Sequence, residues 1–281
     1  MTAMKSGINQ LRIASCGLRI ERQSATMSSA SIANRKLASA KPGSQIVNFR
    51  AFTLVELLVV ISIITLIAAL LLPAASSAKR LAAIHNAQAE MAQLETAIDR
   101  YKSAYGFYPP DNPCNPLVNQ LYFELLGTTN TTLPPAAPNY QSLDDPTMQV
   151  AQSSLSGVFG LDGNGNSCVN GFINCNKPGS SEDAAVAKNF LPDLKPDRVV
   201  VFTNNVPGNT VPIKLIITSV GGPARDYRPL FALGVNPWRY NSSSPTNNPG
   251  SYDLWVQLVF GGQTNLICNW NKRVQLNSPW P

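Results

Sequence analysis

A single carboxylate lies inside a long apolar stretch near the N-terminal end of this chain. Glu56 is followed by residues 57–78, which carry no charge and consist largely of Leu, Ile, Val and Ala. A charge near the core of a lipid bilayer is costly unless it is paired with another group. We therefore expect Glu56 to serve the function of the protein by pairing with a cation in surroundings of low dielectric constant.

The apolar stretch has the length of a membrane-spanning helix. Residues 52–72, at ~1.5 Å per residue in a helix, span a hydrocarbon core of ~30 Å. Two simpler interpretations remain open at this point. The stretch could be a plain signal anchor, or a secretory signal that is cleaved near the small residues 75–78. Neither interpretation needs an acid at Glu56.

The residues around Glu56 resemble the processing and methylation motif of type IV prepilins. The motif in this chain is Ala51-Phe-Thr-Leu-Val-Glu56, and it continues directly into the apolar stretch. The resemblance implies that a prepilin peptidase cuts between Ala51 and Phe52 and then methylates the new amine of Phe52. Ala51 departs from the family, which usually has Gly before the cut. Pro73 stands where pilins often carry a proline that kinks the helix.

The positive charge of the chain is concentrated before this motif. The whole chain carries +6 at pH 7, but residues 1–51 hold eight Lys or Arg and one acid, so residues 52–281 carry −1. The charge therefore does not indicate binding to nucleic acid. Because a basic segment before an apolar helix stays cytoplasmic, we expect residues 1–51 on the cytoplasmic side, and the resemblance implies that they are a cleaved leader. The rest is expected on the exported side of the inner membrane, after a single pass. A translation start at Met27 is an alternative that shortens the leader.

Cysteine usage fits an oxidising compartment outside the cytoplasm. Cys16 falls in the leader, and four cysteines follow the apolar stretch. A short loop containing Gly and Asn favours a bridge between Cys168 and Cys175, while free thiols are the alternative. A zinc site is not expected, because no C-x-x-C pair occurs and His85 is the only histidine. The favoured pairing leaves Cys114 and Cys268 as the second bridge.

The helix is predicted over residues 52–105, with an amphipathic segment that continues it beyond the membrane. Apolar residues recur at steps of three, four or seven, with polar residues between them. Gly106 suits the position after a helix end, and Pro109-Pro110 prevents continuation. The predicted buried stripe consists of Leu81, Ile84, Met91, Leu94, Ile98, Tyr101 and Tyr105.

Residues 106–198 are predicted to form a loop-rich insertion with two short helices. One helix is predicted over residues 116–126, where Asn115 can cap and Gly127 can end it. The other is predicted over residues 181–191. Between them, Asp162-Gly-Asn-Gly-Asn166 has the alternating oxygen side chains of a calcium loop, although no Glu follows at the twelfth position. A plain turn and a cation site with Asp162, Asn164 and Asn166 as ligands both stay open.

The last third of the chain has the composition of β-strands. Residues 199–281 are predicted to form an antiparallel sheet of three to five strands that buries the helix stripe. Gly261-Gly262 predicts a hairpin turn. The fold class predicted overall is α+β, with a long N-terminal helix packed on a C-terminal antiparallel sheet, as in the pilin fold. The individual strands are expected over residues 199–203, 213–218, 254–260 and 264–270.

Three later segments resemble the major pseudopilins of type II secretion systems. Tyr101-Lys-Ser-Ala-Tyr-Gly-Phe-Tyr-Pro109 is similar to the helix exit of those proteins. Asn236-Pro-Trp-Arg-Tyr240 and Tyr252-Asp-Leu-Trp255 resemble segments that they carry in the same order. The acidic, Gly-rich loop that holds calcium in those proteins is replaced after Trp255 by a strand-like run. No cofactor is therefore expected apart from the calcium candidate at Asp162.

The combined resemblance implies a structural subunit rather than an enzyme. No Ser/His/Asp set, phosphate-cradling loop or paired carboxylates stand out in the sequence. The implied function is assembly into a type II secretion pseudopilus or a type IV pilus-like filament, in which Glu56 pairs with the Phe52 ammonium of a neighbouring copy. The implied partners are prepilin peptidase, other copies of the chain, other pseudopilins, platform proteins and membrane lipid. The alternative is a membrane-tethered binding module on the exported side that has kept the processing signal.

Overall fold

The protein is an α+β structure in which a long N-terminal helix is followed by antiparallel sheets, as the sequence predicts. The computed structural model describes residues 52–177, 186–203, 211–219 and 228–277. The leader prediction for residues 1–51, including Ala51, therefore lies outside the described residues.

Helix α1 runs from Leu54 to Tyr105 and contains 52 residues. At ~1.5 Å per residue its length is roughly 78 Å. Gly106 ends it with a φ of 85°, which is costly for a residue with a side chain, and its N–H donates to the Lys102 carbonyl at 2.7 Å. The predicted end of the helix is thus confirmed.

The second half of α1 packs on the rest of the protein through one face. Ile84, Leu94, Ile98 and Tyr101 are buried there, as predicted from their spacing. Leu81 was expected in the same stripe but is 56% exposed. It lies near the end of the packed region, where a groove rather than a sheet surface faces the helix.

Four strands near the C-terminus form the sheet against which α1 packs. These strands are ordered β10-β9-β8-β7, and all their pairings are antiparallel. Gly261 and Gly262 connect β8 to β9 with φ values of 55° and 78°. Positive φ at both turn residues is typical of a type I′ hairpin and explains why glycine fits here. The bounds are β7 Arg239–Asn241, β8 Asp253–Phe260, β9 Gln263–Cys268 and β10 Asn271–Leu276.

Strands β5 (Val199–Thr203) and β6 (Pro212–Ile216) form a separate two-stranded sheet. The prediction of one sheet over residues 199–281 is therefore wrong. Beyond β6, Ile217 makes only an isolated bridge to Pro237. Proline has no N–H to donate to a ladder, so the pairing does not extend into a common sheet.

The insertion contains short elements that the sequence predicts only in part. Helix α2 (Leu121–Leu126) covers the second half of the helix predicted over residues 116–126. The first half is not helical and bonds to a distant segment instead: the Pro116 carbonyl accepts the Tyr240 N–H, and the Asn119 side-chain amide donates to the Trp238 carbonyl at 2.6 Å. Of the helix predicted over residues 181–191, the described part, 186–191, is not helical.

A second four-stranded sheet was not predicted and lies within the insertion. Its order is β3-β2-β1-β4, with β1 and β4 parallel and the other pairs antiparallel. A five-residue helix, α3 (Leu155–Phe159), follows β3 after one 3₁₀ turn. The strands are β1 Thr128–Asn130, β2 Asn139–Ser142, β3 Gln149–Ala151 and β4 Cys175–Asn176.

Candidate processing and assembly site

The first half of α1 is an apolar surface that the protein itself does not cover. Every residue from 52 to 71 is exposed. An 18-residue window of α1 has a mean hydropathy of 2.9, and none of it is buried within the protein. An exposed apolar helix of this length fits a membrane-anchored protein.

The hydroxyl groups of Ser62 and Thr65 in this apolar half are satisfied inside the helix. Ser62 Oγ donates to the Leu58 carbonyl at 2.7 Å, and Thr65 Oγ1 donates to the Ile61 carbonyl at 2.6 Å. Polar groups in hydrocarbon have no water to bond with, so bonds within the same helix are the stable solution. Ser62 and Thr65 are therefore compatible with a membrane.

Glu56 lies in the first turn of α1 with its side chain exposed. An acid in the first turn of a helix is stabilised by the helix dipole. Phe52, the described residue of the predicted processing site, is 74% exposed. Phe52 and Glu56 are four positions apart, which is about one helical turn in an α-helix.

Glu90 is a buried acid that the sequence reasoning missed. Its side chain is 2% exposed, and its Oε1 lies 3.6 Å from Arg198 Nε. It also accepts hydrogen bonds from the Ser219 N–H at 3.2 Å and from the Ser219 hydroxyl. A signal was available: Glu90 stands three residues after Ala87 and four before Leu94, on the stripe that is buried. An acid on such a stripe indicates an internal ion pair.

Glu124 is a second missed acid, and it joins α1, α2 and the insertion. Its carboxylate accepts hydrogen bonds from Tyr101 Oη at 2.9 Å, from the Ile173 N–H at 2.8 Å and from the Asn174 N–H at 3.1 Å. Burial raises the pKa of Glu124, although these three donors act in the opposite direction. Burial and the neighbouring Glu124 also raise the pKa of the Tyr101 hydroxyl.

The disulfide differs from the predicted pairing. The structure joins Cys114 to Cys168, with a Cα–Cα distance of 6.0 Å. Cys175 and Cys268 are free and buried. The prediction of Cys168–Cys175 and Cys114–Cys268 is wrong because proximity along the chain does not decide which cysteines meet in the fold. Cys175 lies in β4, where its backbone pairs with β1, while the Cys168 N–H bonds to the Gly160 carbonyl, next to the end of α3.

The calcium candidate at residues 162–166 is an exposed turn closed by its own backbone. Asp162 Oδ1 accepts the N–H groups of Asn164 at 2.9 Å and Asn166 at 2.8 Å. The side-chain amide of Asn166 donates to Asp162 Oδ2 at 3.2 Å. Within the described ranges, no group of three His, Cys, Asp or Glu side chains could hold a metal ion. Calcium binding by Asp162, Asn164 and Asn166 stays a prediction.

The Tyr-Asp-Leu-Trp segment organises the loop before it rather than a loop after it. Asp253 accepts the backbone N–H groups of Thr246, Asn247 and Asn248, each at 2.9 Å. After Asp253, strand β8 continues without interruption to Phe260. The position at which the resemblance places an acidic calcium loop is thus occupied by regular strand.

Comparisons with known proteins bear on the N-terminal segment alone. Residues 47–72 match the family model of the prokaryotic N-terminal methylation motif. No curated protein and no solved structure matches the chain. The chain therefore carries a type IV pilin-like prepilin signal, and this motif together with one exposed apolar helix fits a membrane-anchored protein.

Proposed function

We propose that this chain is a pilin-like structural subunit of a type II secretion pseudopilus or a type IV pilus-like filament. One observation carries the proposal: a prepilin methylation motif leads directly into a helix half that is exposed throughout residues 52–71. A surface this apolar must be covered by lipid, by other copies of the chain, or by each in turn. A filament subunit needs both kinds of cover: lipid before assembly and other copies after it.

Processing is a reaction in which the chain is the substrate. A prepilin peptidase hydrolyses the peptide bond between Ala51 and Phe52, which releases the leader and creates a new amine on Phe52. Transfer of a methyl group to that amine leaves it able to carry a proton. The product has a cation at its first residue and an acid at Glu56, about one helical turn away.

Assembly uses these two charges between copies. In a helical array, the Glu56 carboxylate of one copy forms an ion pair with the Phe52 ammonium of the next. The attraction between the two charges offsets the free-energy cost of removing each from water. The exposed apolar side chains supply area, while the ion pair fixes the axial register. The acid is therefore a positioning group, and we assign no catalytic residue to the chain.

The second half of α1 supports this role by fixing the exported part to the rod. Glu90 and Glu124 place buried polar bonds between α1 and the elements around it. Such bonds are specific in direction, so they oppose sliding of the helix against the sheet. A subunit that moves with its filament requires this rigidity.

The processing step is tested by intact mass and N-terminal sequencing of the protein extracted from membranes. The expected mature chain begins with N-methylated Phe52. A mass that corresponds to a start at Met1, or to a start near Ser76, contradicts the proposal.

The assembly step is tested with Glu56→Ala and Glu56→Gln. Both variants should insert and be cut, because Ala51 and Phe52 are unchanged, but both should yield far less filament on shearing. Asp99→Asn is the matched control, since it removes an exposed acid from the second half of α1. A processed wild-type chain that stays monomeric and binds a soluble ligand tightly would favour the tethered binding module instead.

A further inference from the structure

A groove of about 590 Å³ lies between α1, just after its apolar half, and the edge of the C-terminal sheet formed by β7 to β10. One wall is α1 between Ser77 and Gln88, and the other is formed by β9 and β10. A second groove, of about 510 Å³, continues from it beneath the β8–β9 turn and shares Ser77 and Arg80. The two grooves form one surface around the start of the packed part of α1.

This surface is positively charged. Lys79 and Arg80 line it from α1, and Lys272 and Arg273 line it from β10. Among the described lining residues of both grooves there is no Asp or Glu. The two ion pairs formed by described residues involve Arg198 and Lys214 and lie elsewhere.

Arg80 is held in place by neutral partners. Its Nη1 donates to Gln263 Oε1 at 3.2 Å, and its Nη2 donates to Asn265 Oδ1 at 2.8 Å. These bonds tie α1 to strand β9 without neutralising the guanidinium charge. Arginine has five N–H donors, so others remain for a ligand such as a phosphate.

The same surface also exposes apolar groups. Leu81 is 56% exposed and Leu276 is 58% exposed, and both line the larger groove. This explains why Leu81 departs from the predicted stripe. Cations beside exposed leucines match the chemistry of a phospholipid, which joins an anionic headgroup to an apolar chain.

This surface lies on α1 just beyond the headgroup region, at a distance that long basic side chains can span. Arg80 follows the end of the predicted membrane segment, Leu72, by eight residues, or roughly 12 Å of helix. Headgroups and the interfacial region occupy about 5–8 Å on each side of the hydrocarbon core. Lysine and arginine side chains can extend back along a helix toward that region.

We propose that this surface binds anionic phospholipid headgroups of the outer leaflet, through which α1 emerges on the exported side. We term it the basal face and define it by Lys79, Arg80, Lys272 and Arg273 together with Leu81 and Leu276. The proposal rests on the membrane insertion of α1 in the proposed function. Docking of the basal face holds the exported part against the bilayer before assembly. Joining a filament then requires that the basal face leave the lipid.

The test uses the full chain in nanodiscs at one copy per disc. One set of discs contains phosphatidylcholine alone, and the other contains phosphatidylcholine mixed with phosphatidylglycerol. Hydrogen–deuterium exchange is measured for residues 263–277, because β10 is an edge strand of its sheet in the described structure. We expect exchange there to slow by roughly fivefold or more with the anionic lipid, the effect of one cation near such a surface. Residues 139–151 should not respond.

Two pairs of substitutions separate the basal face from net charge. Lys272→Gln with Arg273→Gln should strongly reduce the response to phosphatidylglycerol, because only Lys79 and Arg80 then remain on the basal face. Lys188→Gln with Lys195→Gln removes the same charge from exposed positions outside the basal face and should leave the response intact. High salt should weaken the response, since exposed charges are screened.

Three results overturn the proposal. They are equal exchange in both lipids, a response that Lys272→Gln with Arg273→Gln leaves unchanged, and protection that appears only in discs loaded with two copies, whatever the lipid charge. The last result would assign the basal face to contacts between copies. Failure of the proposed function is distinguishable, because an uninserted helix would leave residues 54–71 unprotected in both lipids.

Discussion

The two halves of α1 are one continuous helix in unlike surroundings. In the first half every residue from 54 to 71 is exposed, whereas the second half buries Ile84, Leu94, Ile98 and Tyr101 against the rest of the protein. Each half also carries an acid among apolar neighbours. Glu56 is exposed in the first turn, and Glu90 is 2% exposed in the second half.

The difference teaches where the partners of each acid come from. The fold surrounds Glu90 with Arg198 and Ser219. The fold leaves the first half of α1 exposed, so under the proposed function Glu56 also meets membrane lipid and neighbouring copies. We therefore expect substitution of Glu90 to change the stability of the fold and substitution of Glu56 to change assembly. Each should have little effect on the other property.

The largest effect on stability is expected for Glu90→Ala. Removing Glu90 leaves the 17% exposed Arg198 without its carboxylate and Ser219 without its acceptor, and for a fully buried ion pair the cost reaches ~3–5 kcal/mol. The free energy of unfolding, measured by denaturant titration of the detergent-solubilised protein, should fall by up to that amount. Processing at Ala51 should be unaffected. A loss below about 1 kcal/mol would show that the partners of Glu90 are not needed for the fold.

Removal of the disulfide should have the next largest effect. The bridge closes a sequence separation of 54 residues between Cys114 and Cys168. In the chain-entropy account, a loop of this size contributes about 4 kcal/mol, and measured values are commonly ~2–4 kcal/mol. Cys114→Ser with Cys168→Ser should lower the unfolding free energy accordingly. Cys175→Ser with Cys268→Ser is the matched control, and nonreducing peptide mapping should return the Cys114–Cys168 link alone.

Tyr101→Phe should have a smaller effect that sharpens the role of Glu124. The variant removes one hydrogen bond to a buried carboxyl group, for which ~1.5–3 kcal/mol is typical. Tyr105→Phe is the matched control, because the Tyr105 hydroxyl bonds at 2.8 Å to the neutral Asn174 side chain. We expect a loss of roughly 1 kcal/mol for the control. Equal losses in denaturant titrations would show that the charge of Glu124 adds nothing.

The smallest effect is a pH dependence at the surface. Asp145 lies 2.7 Å from Lys214, and hydrogen bonds from Lys214 and Thr147 lower the pKa of Asp145 from 3.8 to about 2. A lowered pKa stabilises the fold above the unfolded pKa, and this contribution disappears as the pH falls from about 4 toward 2. Solvent screening keeps the contribution below about 1 kcal/mol. Asp145→Asn should flatten the unfolding profile in that window.

Glu124 should make the free energy of unfolding depend on pH in the direction opposite to that of Asp145. Burial raises its pKa, so its contribution is fully present below pH 4.5 and is lost as the pH rises through the folded pKa. Stability measured against pH for Glu124→Gln should lack this slope. A slope that persists in Glu124→Gln would assign it to another group.

Local patterns in the sequence predict the elements whose residues interact with near neighbours along the chain. The end of α1 at Tyr105, the strand Val199–Thr203 and the turn at Gly261-Gly262 all follow from periodicity or turn chemistry. The Glu56 motif is equally local. These features need no knowledge of which distant segments meet.

The features that sequence reasoning missed depend on distant contacts. Pairing of Cys114 with Cys168 requires the fold of the insertion. The first half of the helix predicted over residues 116–126 is lost to hydrogen bonds with the segment around Trp238. Glu90 stands on the buried stripe of α1, but its partners, like those of Glu124, come from distant segments that local spacing does not identify.

The central claim, that Glu56 of one copy meets the Phe52 amine of the next, is tested most directly by a zero-length crosslink. Membrane-embedded filaments are built from a mixture of ¹⁴N- and ¹⁵N-labelled copies and treated with a membrane-permeant carbodiimide, which joins a carboxylate to a contacting amine. Mass spectrometry of the N-terminal peptides should find Phe52–Glu56 links that combine light and heavy peptides. Links confined to peptides of one label, or no link in intact filaments, would contradict the account.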